Sequence, residues 1–322
     1  MKAVLCREFG PPSILALSEA PAPLPGRGEV LIRVAAAAVN FPDTLIIQGR
    51  YQARPPFPFA PGGEVAGTIE ALGEGVTGPD PGTRVLAMCG HGGFAELACA
   101  PTENVVVLPD HVDVVTAASL SYAYGTVLHA LRDRAALQSD EMVLVLGAAG
   151  GAGMAALQVA RIMGARVIAA ASPSKHAACL AAGAEAVVDY TADNWRDRIK
   201  ALAPTGMEVV FDAVGGPYAE PALRSIAWGG RYLVVGFAAG DIPRIPLNLA
   251  LLKGCGILGV LYGTHVKREP EANRALMAQL FDWIATGALK PAIAHVWPLH
   301  RAAEALDLLL ARQVTGKIIL TT

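Results

Sequence analysis

Four glycines fall within seven residues of the stretch EMVLVLGAAGGAGMAALQVARIMGARVIAAASPSK, residues 141–175: Gly147, Gly150, Gly151 and Gly153. An apolar, β-branched run precedes them and a helix-forming run follows. The first N–H groups of a helix have no partner inside it and lie at its positive end, so they suit a phosphate. Glycine allows a tight turn there and lets backbone approach a ligand without a Cβ in the way. The spacing is Gly-x-x-Gly-x-x-Gly, and a second apolar strand follows about 20 residues on, as a dinucleotide-binding βαβ unit requires. The residues expected on a pyrophosphate are Ala149, Gly150, Gly151, Ala152 and Gly153. Close helix–sheet packing with no ligand is the plainer alternative.

The second strand ends in Ala-Ala-Ala-Ser-Pro-Ser-Lys. An NAD site usually places Asp or Glu there, accepting from the ribose hydroxyls. Hydroxyls and an ammonium instead suit the 2′-phosphate of NADP, which a carboxylate would repel. Ser172 and Lys175 are the expected phosphate ligands, with Ser174 behind them. Their alternative roles are helix capping by serine and a solvated lysine.

The elements that hold these residues fall into two patterns. Residues 1 to about 118 carry short apolar runs broken by Gly, Pro and Asp, which predicts a small β barrel or sandwich. From about 119 to 265 strands and helices alternate, which predicts a parallel sheet covered on both faces. The expected strands are 142–146, 166–171, 186–190, 208–212, 231–236 and 255–261. The expected helices are 153–163, 174–182, 194–202, 218–227 and 247–252. Val214, Gly236 and Phe237 then lie at the C-terminal ends of later strands, where such sheets bind ligands; sheet-end packing is their alternative role. Past Pro270 a helix ending at Gly287 is expected, then a strand within 288–299, a helix through 300–312 and a last strand in GKIILTT.

Composition narrows the class. The net charge of −2 and the absence of a basic stripe argue against nucleic acid. Five scattered cysteines without a Cys-x-x-Cys pair fit reduced thiols in a cytoplasmic protein. The first ten residues carry Lys2, Arg7 and Glu8 and lack a signal-peptide core. The uncharged run 142–160 is rejected as a membrane span because of its glycines and its strand-like first half. The nucleophile elbow, the zinc-peptidase helix motif and the phosphate-loop motif are all missing.

Several segments resemble the zinc-independent quinone oxidoreductase (ζ-crystallin-like) branch of the medium-chain dehydrogenase/reductase superfamily. They are AVNFPDTLIIQGRYQ, PFPFAPGGEVAGTIEALGEGV, GHGGFAEL, YGTVLHAL, VLGAAGGAG, VFDAVGG, GGRYLVVGF and TGKIIL. The resemblance implies an α/β chain in two domains: a GroES-like, mostly β catalytic domain (1–120 and 268–322) and a Rossmann doubly wound parallel sheet domain (121–267), with the active site in a cleft. Zinc-dependent relatives use a Cys and a His where this chain has Asn40 and Gly63, and their structural zinc lobe needs four close cysteines, so no metal is expected. Glu64 is expected to be structural.

The resemblance also places Asn40 and Asp43 near nicotinamide and substrate. Asn40 could donate to a carbonyl oxygen or serve a turn; Asp43 could fix a loop or helix start. Tyr51 would line the pocket or donate a proton. Leu45 stands where some relatives have Tyr. Thr126 would contact the nicotinamide region and Tyr190 the adenosine phosphate. The loop before Lys175 is one residue shorter than in many relatives. His91 is expected to be a satisfied loop histidine. The implied function is NADPH-dependent hydride transfer to a quinone or another α,β-unsaturated carbonyl, with solvent as a possible source of the proton. The apolar run GCGILGVLYG would be either an internal strand or a sheet edge that pairs two subunits in a homodimer. One rival is an acryloyl-CoA-type enoyl-thioester reductase using Arg50, Arg54, Lys267 and Arg268 as a phosphate rim. The other is a non-catalytic NADPH-binding protein.

Overall fold

A computed structural model describes all residues, 1–322. The chain forms two compact units, Met1–Tyr122 with Gly263–Thr322, and Ala123–Tyr262. No helix is long and apolar enough to cross a membrane.

The Ala123–Tyr262 unit is built on a six-stranded, all-parallel sheet. Its spatial order is Ala186–Val188, Arg166–Ala170, Met142–Leu146, Met207–Asp212, Ile226–Val234, Gly256–Gly259. Numbered by sequence this is 3-2-1-4-5-6, the order of a doubly wound dinucleotide fold. The five residues of Met142–Leu146 are all buried, which an apolar strand between two others and under helices must be. The helices Gly151–Ile162, His176–Ala181, Trp195–Leu202, Ala219–Arg224 and Asn248–Lys253 alternate with the strands.

The helix expected over 218–227 ends at Arg224. Residues 226–230 belong to a strand, whereas the sequence pattern put a helix through 227 and started the strand at 231. The register explains it: Met207 pairs with Ile226 but Val209 pairs with Arg231, so the segment between bulges out of the ladder. Gly229, at φ +72°, supplies the left-handed turn inside that bulge. The third strand also stops at Val188, which leaves Tyr190 in the loop beyond it.

In the other unit the Glu29–Val39 strand is the hub. It pairs antiparallel with Glu64–Leu72, with Leu97–Pro101 and with the C-terminal strand Lys317–Thr321. Ile293–Pro298 adds to the far side of Lys317–Thr321 in parallel, and Arg84–Met88 and Val105–Val107 extend the other side. The interior is filled by Val30, Ile32, Ile69, Val85, Phe94 and Ile318, together with Leu306 from the helix Ala302–Leu310. A 16-residue helix, Pro270–Ala285, has proline in its first turn, as expected.

Candidate functional site

In the Ala123–Tyr262 unit the glycine turn sits at the point where the strand order reverses. Gly147, at φ +68°, follows Met142–Leu146, and a Cβ on it would come 2.7 Å from Val214 Cγ2. Val214 follows the neighbouring strand Met207–Asp212, so the two strand ends meet at this glycine. A Cβ on Gly153 would lie 2.2 Å from the Gly147 carbonyl oxygen, so helix and turn are in backbone contact there. The helix Gly151–Ile162 begins at the N-cap Gly150, and no side chain caps it. Its first N–H groups therefore point out of the helix without a side-chain acceptor, which is the donor set a diphosphate needs.

The turn after Met207–Asp212 is held from below. Asp212 Oδ1 accepts from the Val214 and Gly215 N–H groups, both at 2.8 Å, and Oδ2 accepts from the Tyr232 hydroxyl at 2.5 Å. Burial raises the Asp212 carboxyl while these donors oppose it, and burial beside Asp212 raises the Tyr232 phenol. Gly236 N–H donates to the Asp212 carbonyl at 3.3 Å, and Phe237 lies close enough that a Cβ on Gly215 would meet its ring at 2.8 Å. Val214, Gly236 and Phe237 are thus gathered at one strand-end turn.

Ser172 precedes a short 3-10 turn, Pro173–Lys175, and its hydroxyl does not cap it. Lys175 is half-buried, and burial pulls its ammonium below the usual lysine range. Tyr190 packs edge-on against Tyr218 with ring centroids 4.6 Å apart. Thr126 opens the helical turn Thr126–Leu128 and is half-buried.

In the other unit a polar cluster lies inside an apolar core. Asn40 follows the hub strand and is the N-cap of the helix Phe41–Ile46, in which Asp43 is the third residue. Asp43 Oδ2 accepts from the Asn40 N–H at 2.7 Å, and Oδ1 accepts from the Gly62 N–H at 3.2 Å. The Asn40 amide nitrogen donates to Glu64 Oε2 at 3.1 Å and to the Ala38 carbonyl at 3.4 Å. Its oxygen accepts from Lys317 Nζ at 2.5 Å. Lys317 Nζ also lies 3.6 Å from Glu64 Oε2, and Glu64 Oε1 accepts from the Tyr122 N–H at 3.0 Å. Asn40, Asp43, Glu64 and Lys317 are all buried.

Burial pushes Asp43 up to about 7, against the Asn40 and Gly62 donors and the charge of Lys317. Burial likewise raises Glu64 and lowers Lys317, each opposed by the other's charge. Two carboxyls share one ammonium. Glu64 is the one in ion-pair range, so Asp43 is the carboxyl that retains a proton near neutrality. The Cys89 thiol, 3.4 Å from the Gly62 carbonyl, is pushed up to about 12 by burial and is inert as a nucleophile.

Asn40 and Asp43 are brought together by a hydrogen bond; Tyr51 is half-buried against the core, and its phenol is raised by burial and by the charge of Asp43. Sequence reasoning missed Lys317, Tyr122 and Asp212. The signal for Lys317 was one charge at the head of an otherwise apolar strand, and for Asp212 an acid ending a buried strand. Nothing local marked Tyr122. His91 is exposed and stands edge-on to Phe59 at 6.4 Å, at the end of a ladder in which Phe59 stacks on Phe57 and Phe57 meets Phe9.

Two family models match the chain: an alcohol dehydrogenase GroES-like domain over residues 26–110, and a zinc-binding dehydrogenase domain over 151–282. A quinone oxidoreductase-like protein 2 homolog from Nematostella vectensis is 36% identical over 325 residues, covering 100% of this chain and 89% of its own. The chain belongs to the quinone oxidoreductase family of the medium-chain dehydrogenase/reductase superfamily. It shares that family's oxidoreductase fold from end to end. A mycobacterial protein solved with NADPH is 33% identical with a TM-score of 0.93, and the Escherichia coli quinone oxidoreductase solved with NADPH is 26% identical with a TM-score of 0.94. Both comparisons cover 100% of each chain.

For this family member, Lys317→Met should lower unfolding stability by about 3–5 kcal/mol, because it leaves Glu64 buried without its cation. Adding Glu64→Gln should restore much of that loss. Urea unfolding measures both, and an unchanged midpoint in Lys317→Met would show that the ammonium is not what balances Glu64.

A second prediction concerns pH. With its pKa raised to about 7, Asp43 holds a proton in the fold that the unfolded chain releases near pH 4. Its contribution is therefore fully present at low pH and fades as pH rises through about 7. Asp43→Asn should destabilise more at pH 5 than at pH 7.5. A loss that grows with pH would reverse the assignment.

Proposed function

We propose that this chain is a zinc-free, NADPH-dependent reductase of electron-poor carbonyl compounds, quinones or α,β-unsaturated carbonyls. The observation that carries the reading is the uncapped helix start at Gly150, set at the reversal point of a 3-2-1-4-5-6 sheet. Ala149, Gly150, Gly151, Ala152 and Gly153 would hold the pyrophosphate on backbone N–H groups. Ser172 and Lys175 would hold the 2′-phosphate; the hydroxyl left out of the cap and the absence of a carboxylate at that strand end support NADPH over NADH. Tyr190 would flank the adenosine, and Thr126, Val214, Gly236 and Phe237 the remainder of the cofactor. When bound, NADPH supplies a hydride from its nicotinamide ring.

The residues in the polar cluster do not fit a zinc ion. Asn40 already holds an ammonium at 2.5 Å, Gly63 offers no ligand atom, and Cys89 is kept protonated. Asn40, Asp43 and Lys317 act on this reading as a scaffold that fixes the Gly62–Gly63 turn, with Tyr51 lining the acceptor pocket. The exposed Phe57 and the phenylalanine ladder behind it support an apolar acceptor.

The test is NADPH oxidation, with NADH as control, against a benzoquinone, a small enone and acryloyl-CoA. Turnover of quinone and enone with NADPH is expected. Preference for acryloyl-CoA would move the function to thioester reduction, and tight NADPH binding without turnover would leave a binding protein. Lys175→Glu should cut kcat/KM for NADPH at least about tenfold, from loss of a charged hydrogen bond, while sparing NADH. Equal losses with both cofactors would remove Lys175 from the phosphate site.

The chain is also proposed to act as a homodimer. Gly256–Gly259 is an edge of the parallel sheet, paired on one side only. In the same unit Trp228, Leu247 and Leu251 are 79%, 78% and 79% exposed. An open strand edge in a unit with large exposed apolar side chains calls for a cover, and a second copy of the same edge is self-complementary. Sedimentation should show a dimer that Leu251→Glu shifts to monomer; an unsubstituted chain that sediments as a monomer would end the proposal. Five free cysteines support a cytoplasmic setting.

A further inference from the structure

Beside the polar cluster stands a hydroxyl whose bonding is incomplete and whose position the chain has made room for. Asn40 spends its amide on Glu64, Ala38 and Lys317. Both oxygens of Asp43 and both of Glu64 have partners. The Tyr122 N–H donates to Glu64, but its hydroxyl makes no hydrogen bond within the chain. That hydroxyl stands directly over Gly63: a Cβ there would lie 2.5 Å from it and 3.1 Å from the Gly90 carbonyl. Position 63 therefore has no space for a side chain while Tyr122 keeps its place. The ionisable groups of Asp43, Cys89, Tyr51 and Glu64 all act on that hydroxyl.

Building on the function proposed above, we propose that Tyr122 is a catalytic residue whose hydroxyl donates a hydrogen bond to the acceptor's carbonyl oxygen. For an enone, hydride uptake forms a C–H bond at the β-carbon. The C=C pair moves toward oxygen and gives an enolate, while NADPH is oxidised to NADP⁺. A solvent proton then completes the saturated carbonyl. A quinone takes the same two electrons and becomes a hydroquinone anion that solvent protonates. In both cases negative charge collects on an oxygen, and a donor fixed in advance stabilises it most where water is excluded. Burial raises the Tyr122 phenol well above its ordinary range, so it stays a neutral donor throughout and does not surrender its proton. Asn40 has no free N–H for this task; its backbone N–H holds Asp43, which in turn holds the Gly62 N–H. Tyr51 also makes no hydrogen bond through its hydroxyl, but it is not tied to Glu64 as Tyr122 is.

The experiment compares Tyr122→Phe, Tyr51→Phe and Gly63→Ala with the unsubstituted chain, using enones of increasing electron demand and a benzoquinone. NADPH affinity by fluorescence and the unfolding midpoint are read alongside. Tyr122→Phe should lower kcat/KM about a hundredfold for the least activated enone, and progressively less toward the benzoquinone, with NADPH affinity unchanged. A merely structural tyrosine would lower every acceptor equally. Gly63→Ala, which displaces the hydroxyl without altering Tyr122, should give the same graded loss, so the idea survives testing even if Tyr122→Phe folds poorly. Undiminished turnover in Tyr122→Phe, a uniform loss, or a graded loss confined to Tyr51→Phe would each overturn the assignment. No turnover of any acceptor by the unsubstituted chain would overturn the functional reading, and this inference with it.

Discussion

The ammonium of Lys317 is the constraint on which the polar cluster depends. A charge at the head of a core strand carries a desolvation cost of several kcal/mol unless it is met by an opposite charge and by hydrogen bonds. Here Glu64 supplies the charge and the Asn40 oxygen the hydrogen bond. Those three residues come from three different strand ends of one sheet. Lys317 opens the last strand, Glu64 opens a strand on the other side of the hub, and Asn40 follows the hub itself. Satisfying the ammonium therefore fixes how the three strands meet. Asp43 then carries the order outward, since it binds the Asn40 N–H and the Gly62 N–H and so sets the turn that presents Gly63.

This explains why the two candidate sites differed in legibility. The glycine turn is local. Strand, turn and helix lie within some twenty consecutive residues, and spacing alone identifies them. The alternation of strands and helices around it then points to a parallel sheet covered on both faces. The polar cluster is not local: Lys317 and Asn40 are 277 residues apart. Asn40 and Asp43 were visible as polar residues at a helix start, but whether the Asn40 amide faces a ligand or a lysine depends on a strand from the far end of the chain. The same holds for the bulge between Ile226 and Arg231. It depends on the register against Met207–Asp212, and a one-strand pattern has no access to register. Tyr122 carried no signal because its proposed role rests on a glycine 59 positions earlier having no side chain.

The two units present hydrogen-bond donors by opposite means. On the glycine turn the donors are backbone N–H groups, left open because no side chain caps the helix. In the polar cluster nearly every donor and acceptor is already used within the chain, and that saturation makes the rest selective. A buried group that is fully bonded gains nothing from a ligand, so on the proposed reading recognition falls to the hydroxyls that remain.

On the proposed reading, that division bears on which acceptors the chain suits. A neutral phenol that keeps its proton offers a strong hydrogen bond but no positive charge. Such a donor is worth a few kcal/mol to a developing oxyanion, enough when the charge is already spread through an enolate or a hydroquinone ring. A localised alkoxide needs more than this. The ammonium that could supply it is held by Glu64 and Asn40, and both would lose their partner if it turned to a substrate. On the proposed reading, the preference for quinones and enones is thus set by the same ion pair that holds the strands together, because that pair keeps the cluster's one positive charge for the fold.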